Sequence, residues 1–410
     1  MNNDDRPETM RRRILAVDLL RGIVMMIMLL DHTRDYVHAG ALQNDPTDPA
    51  TTTVAIFFTR WITHYCAPIF VFLSGVSIYL QLASGKSRSE RCRFLWTRGL
   101  WLILLEFTVV RFLVVFNLDY SFFGMAQVIW VIGLSMIAMA ALIYLPVRAV
   151  AAVGLTMVLL HNLLDGIAVP PAVAFAGTPP PDLMQSLWLV LHQTGVIPLF
   201  GGASRVFVAY PLIPWTGVMA AGYAVGSVYS WDADLRRKLL LRLGIRCTAL
   251  FVIVRLINIY GDPAPWSIQA STSTTILSFF NVTKYPPSLL FLLMTLGPAL
   301  VVLALTDGID GKSIWQRVCI IFGKVPMFYY LLQWLAAHGF AVVLTYLAGK
   351  DPGYLFLALF DMAQEAPPGH GFPLWVVYIV WITGLVVLFP LCLYYGRLKN
   401  RSRHWLFSYL

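Results

Sequence analysis

The sequence predicts an all-α polytopic membrane protein of about ten transmembrane helices in one bundle. Three observations carry that prediction. Hydrophobic types make up 58% of the 410 residues and charged types only 12%. That is about half the charged share of an ordinary soluble domain, too little polar surface to cover a water-soluble globule. Apolar runs of about 20 residues, enough to cross a hydrocarbon core, recur along the whole length. Basic residues cluster in short loops on alternate sides, as positive-inside topology requires.

The predicted spans are 14–32, 54–82, 93–116, 123–145, 148–164, 206–230, 239–259, 286–306, 315–348 and 373–396. The ninth is too long for one straight crossing. Its GKVP sequence at 323–326 places Pro326 where a helix kinks or splits, and a split would make eleven. A tail over 1–13 and a basic tail over 397–410 flank a single membrane domain over 14–396. The first span carries internal charges and is longer than a secretory h-region, so it reads as a retained helix.

With the N-terminus in the cytoplasm, 21 of the 30 Lys and Arg residues fall on the inside, and the C-terminus ends inside too. Arg34, Arg60, Arg205, Lys284 and Lys350 remain outside. The longer loops, 33–53, 165–205, 260–285 and 349–372, also fall outside and would wall an outward cleft. The net charge of +9 follows this topology, so it does not point to nucleic acid. The five cysteines show neither disulfide nor metal-ligand spacing. Walker A, G-x-S-x-G and H-E-x-x-H motifs are absent, which disfavours ATP-driven pumping and soluble-type hydrolase chemistry.

Ionisable residues inside an apolar span are costly and by default mark function. The first helix begins with Asp18 and Arg21 and ends in LLDHTRDYVH, residues 29–38. On a continued helix Asp31, Arg34, Asp35 and His38 share a face, and His32 lies three before Asp35. A carboxylate beside an imidazole fixes its tautomer and raises its basicity, as a general base requires. The competing reading is an interfacial charge cluster that ends the helix. His64 lies near the outer end of the second helix, four residues before Pro68, and can face this cluster or bond a carbonyl freed by the proline. Glu106, Arg111, Arg255 and Lys324 each need a partner on another helix or a polar tunnel. Lys284, at the outer start of a helix, binds an anion or snorkels. Gln333 and His338 lie within the ninth span, where His338 is expected to satisfy a backbone group.

Five segments in order resemble the heparan-alpha-glucosaminide N-acetyltransferase family, most of all its bacterial branch. They are RILAVDLLRGIVMMIMLLDHTRDYVH, THYCAPIFVFLSGVSIYL, YPLIPWTGVMAAGYAVG, KYPPSLLFLLMTLG and GKVPMFYYLLQWLAAH. The resemblance implies an enzyme that moves acetyl from cytoplasmic acetyl-CoA to a sugar amine or hydroxyl on the far, periplasmic side. The family's catalytic histidine lies between helices one and two. Here that region holds His32, ranked first with Asp31, then His38, then His64, with Asp31 or Asp35 as the orienting carboxylate. Arg34 and Lys284 would bind an anionic acceptor or part of the donor, with Trp215 and Gln333 completing the acceptor set. Arg21, Arg91 and Arg98 would meet the CoA phosphates. The implied setting is a bacterial inner membrane, with lipid and a glycan or small amine or hydroxyl acceptor as partners. A homodimer is implied, with neither metal nor nucleic acid. The alternative function is a transporter or permease for a small anionic or amphipathic solute.

Overall fold

The computed structural model describes residues 14–82 and 87–401. The expected tail 1–13 and the tail from 402 onward lie outside the described residues. The chain runs α1 (Leu15–Val37), α2 (Val54–Thr63), α3 (Cys66–Leu82), α4 (Arg88–Leu105), α5 (Arg111–Val115), β1 (Phe122–Ala126), α6 (Val128–Leu142) and α7 (Val147–Leu160). It continues as α8 (Leu183–Leu191), β2 (Gly195–Leu199), β3 (Ser204–Val208), α9 (Leu212–Gly226), α10 (Ala233–Ile257) and α11 (Thr272–Phe280). The last elements are α12 (Leu289–Leu305), α13 (Ile314–Lys324), α14 (Pro326–Leu347), α15 (Leu359–Glu365) and α16 (Leu374–Arg401).

By length and composition, four helical stretches among the described residues can cross a membrane: Val54–Leu82, Val147–Leu164, Pro326–Leu347 and Leu374–Arg401. The first helix carries too many charges to stand among them, and several others are short. The protein is a helical membrane protein, but helix number and crossing number are not the same thing here.

Three predicted spans change shape. The ninth splits at Val325, because Pro326 has no N–H to continue the ladder and starts a new helix as its first residue. The piece before the break, α13, has 11 residues, about 16 Å of helix against a core of about 30 Å. The fourth and sixth spans begin as strands, not helices. Residues 122–126 and 204–208 pair in parallel, and the apolar stretch at 195–199 adds an antiparallel strand, giving the order β1-β3-β2. Alternating burial along β1 and β3 shows why: their apolar runs have period two where a helix was read. The C-terminal helix extends to Arg401, past the expected boundary at 396.

Helix α1 is the hub. Two glycines let α13 lie directly on it. A Cβ at Gly22 would sit 1.8 Å from the Cys319 carbonyl oxygen, and one at Gly323 would sit 1.9 Å from that of Asp18. Small residues at a crossing allow backbones to touch where apolar lipid gives no hydrophobic drive. The same device joins α3 and α9 through Gly75 and Gly222. The outer half of α1 meets α14, where Trp334 packs on His32 and His338 on Tyr36.

The charges expected inside the membrane mostly cap backbone. Glu106 accepts the N–H of Trp130 at 2.9 Å, supplying the cap that Gln127 does not give α6. Arg111 donates to the carbonyls of Asn117, Asp119 and Phe122. Arg255 donates to those of Ala264, Ser278, Phe279 and Asn281. His338 has its ring nitrogens on the Leu113 and Leu355 carbonyls, the backbone role expected for it. These groups build no tunnel by themselves.

Candidate functional site

Two regions gather the predicted residues, one at each end of α1, named outer and inner after the topology predicted from the basic loops. The outer one starts at Asp31. Helix α2 ends beside it, so Arg60 Nη1 reaches both carboxylate oxygens at 2.7 Å and Thr63 Oγ1 donates at 2.8 Å. Arg34 Nη2 lies 3.1 Å away and also pairs with Asp35. Asp31 and Arg34 are 8% and 3% exposed, so these charges are compensated by one another and not by water.

This arrangement corrects the expected dyad. The oxygens of Asp31 are directed to Arg60, Thr63 and Arg34, and the partner of Asp35 is Arg34. His32 makes no hydrogen bond to either carboxylate. Its ring packs on Trp334 with centroids 3.6 Å apart, and its Nδ1 is buried without a partner. The imidazole is therefore placed by stacking, and the carboxylates are placed by arginine.

His64 sits at the C-terminal end of α2, its ring edge-on to Phe291 at 5.5 Å and its Nδ1 also buried and unpartnered. Lys284 is within electrostatic reach of Asp31, His32 and His64. Its segment is held by Asp262, which accepts from Thr283 N at 2.8 Å and Ser288 Oγ at 2.7 Å. Lys284 Nζ lies 5.1 Å from the Tyr285 ring, and an aromatic run continues through Tyr210 to Trp215. Trp215 Nε1 and both amide atoms of Gln333 are buried without partners. Buried polar atoms left unbonded cost about 1–3 kcal/mol each, so their retention at this place asks for a reason.

His38 is brought in less closely. It lies just past α1, half-buried, where its neighbours 37 and 39 pair with Phe372. Burial and the Arg34 charge hold its imidazole below the usual range, so it stays neutral near pH 7.

The inner region is open. A cavity of about 480 Å³ has Arg21, Arg91, Arg98, Lys324 and Lys399 on its walls. All three arginines predicted to meet phosphate are here together. Arg21 is set by Ser77 Oγ at 2.9 Å and Asp18 at 3.3 Å, and Arg91 by Gln81 at 3.3 Å. Lys399 was missed, since it lies beyond the predicted last span. Lys324 was read only as an intramembrane charge; the GKVP break is the signal that aims it here.

The deep wall of this cavity is apolar, with Met28, Ile129, Ile132 and Met327, and it includes Tyr330. Met28 lies four residues before His32, and Tyr330 four before Trp334. The Met28 and Tyr330 walls thus lie one helical turn, about 6 Å, from the His32–Trp334 stack. Five cations and this apolar wall border one cavity. Among the described residues no group of three His, Cys, Asp or Glu side chains has metal-holding geometry.

A family model described as heparan-alpha-glucosaminide N-acetyltransferase, catalytic, matches residues 13–256, more than half of the 410. A search of curated proteins gave no match. The matched region carries Arg21, Asp31, His32, Arg34, His64, Arg91, Arg98 and Trp215. Lys284, Lys324, Gln333 and Lys399 lie beyond it.

Proposed function

The chain belongs to the heparan-alpha-glucosaminide N-acetyltransferase catalytic family, and from that premise we propose that it acetylates a sugar amine or hydroxyl with acetyl-CoA taken from the cytoplasm. The single observation that carries this reading is the inner cavity, lined by five cations and by Met28, which stands one helical turn before His32. The five cations suit the phosphates of CoA, and the apolar wall suits its uncharged arm, so the residues present fit the donor.

In this reading the acceptor enters from the periplasmic side. Its nitrogen or oxygen lone pair attacks the thioester carbon. The C–N or C–O bond forms, the C–S bond breaks, and His32 takes the acceptor proton while the CoA sulfur leaves as thiolate. Alternatively His32 Nδ1, unpartnered in the structure, takes the acetyl first and passes it on. Arg60 and Arg34 hold Asp31 and Asp35, and the imidazole beside them acts as the base. Lys284, outside the Asp31–Arg34–Arg60–Asp35 network, gives the outer end positive charge for an anionic acceptor, and Trp215 and Gln333 contribute stacking and amide hydrogen bonds. A bacterial inner membrane and a homodimer complete the proposal.

The test is acetyl-CoA binding and acetyl transfer by detergent-purified protein, wild type beside His32→Ala, His38→Ala and His64→Ala. Saturable binding by all four, with transfer lost in His32→Ala, is the expected result. Failure of well-folded protein to bind acetyl-CoA or CoA would overturn the reading and favour a transporter, which should pass solute with no acyl donor present.

A further inference from the structure

A second cavity, of about 240 Å³, lies between the α13–α14 break and the end of α16. Its cations are Lys324, Arg397 and Lys399, and its apolar wall includes Ile321, Val325 and Leu393. Among the described residues that line it, none is acidic. Lys324 and Lys399 also line the donor cavity, so the two spaces share a wall.

The helix around it continues the pattern outward. At about 100° per residue, the cavity-facing arc of α16 ends at Arg397, and the next arc begins about 60° further round with Tyr394. That arc, Leu391, Tyr394 and Leu398, is apolar and exposed, 45%, 70% and 41% respectively. A basic pocket at the cytoplasmic end of a bundle, opening beside an apolar helix face, is the shape that takes a phosphate head with acyl chains beside it. Free phosphate would use the cations and leave the apolar arc without a role.

We propose that this cavity binds the phosphodiester head of an anionic phospholipid, whose acyl chains lie along Leu391, Tyr394 and Leu398. The lipid then shares Lys324 and Lys399 with whatever occupies the inner cavity. This goes beyond the acetyltransferase reading and does not depend on it.

The full chain in detergent, offered dioleoylphosphatidylglycerol or dioleoylphosphatidylcholine and read by native mass spectrometry, tests it. One phosphatidylglycerol should be retained per chain, about tenfold over phosphatidylcholine. Arg397→Gln should lower that retention about fivefold, the worth of one basic group at a lipid surface. Arg242→Gln, an exposed arginine on α10, should leave it unchanged. Equal retention of both lipids, or wild-type retention by folded Arg397→Gln, overturns the proposal. So does a wild type that takes adenosine 3′,5′-bisphosphate at Arg397 but shows no preference for the anionic lipid. Because none of these readouts uses an acyl donor, a failed donor-binding experiment would not be mistaken for a failed lipid site.

Discussion

The outer and inner ends of α1 both carry charge, yet they handle it in opposite ways. At the outer end Asp31, Arg34 and Arg60 form a packed, buried network with the half-exposed Asp35 at its edge, and the four neutralise one another. At the inner end five cations surround an open space of about 480 Å³. A buried network removes freedom from its members and positions what stands beside it. An open cavity bordered by cations keeps room for a ligand beside them, even where one, Arg21, also pairs with Asp18. The difference separates residues that hold one another from residues that, in the proposed reading, would meet the donor, though all read alike as charges in a hydrophobic sequence.

The comparison can be broken first at His32. Replacing it with Ala should lower acetyl transfer at least about 100-fold, the lower range for a lost acid–base group, with acetyl-CoA affinity unchanged. A drop in affinity equal to the drop in rate would make His32 part of the donor cavity instead. Asp31→Ala leaves Arg60 buried without its carboxylate and Arg34 with Asp35 alone. A loss of about 3–5 kcal/mol of stability is expected, seen as a large fall in Tm in detergent. If only turnover falls and Tm holds, Asp31 acts on the chemistry and the network is not structural.

Gly22→Leu should cost about 1–3 kcal/mol by forcing α13 off α1, and it should weaken acetyl-CoA binding because Arg21 and Lys324 then part. Lys324→Gln touches only the inner end. About tenfold weaker CoA binding, with a shallower salt dependence and no change in Tm, would sharpen the contrast.

The smallest effect belongs to Asp165, past the α7 span, which accepts from His192 Nε2 at 3.0 Å and Asn162 Nδ2 at 2.8 Å. Burial alone would raise its carboxyl, but these two bonds outweigh it and hold the group below the usual range. A lowered folded value gives stability that is present above the unfolded value near 3.9 and lost as pH falls through the folded one. Asp165→Asn should therefore cost no more than about 1 kcal/mol at pH 7, with the gap to wild type closing below about pH 4.

Sequence reading found the class of protein, the charged end of α1 and the three arginines of the inner cavity, because each is local: an apolar run, a spacing on one helix, a loop bias. It also found the break at Pro326. It did not find the sheet: β1 and β3 looked like the first turns of the helices that follow them, and β2 lay in the predicted loop 165–205. Nor did it find that Arg60 would take Asp31 away from His32, since that depends on how α2 folds against α1. The same holds for Glu106, whose partner is a backbone N–H that no side-chain pattern reveals.

Arg21 and His32 stand on one unbroken helix, eleven residues or about 16 Å apart along its axis, with α13 clasped to it through Gly22 and Gly323. The distance from Arg21 to the imidazole is thus built into a single rod. In the proposed reading this one helix would gauge the reach of a bound donor.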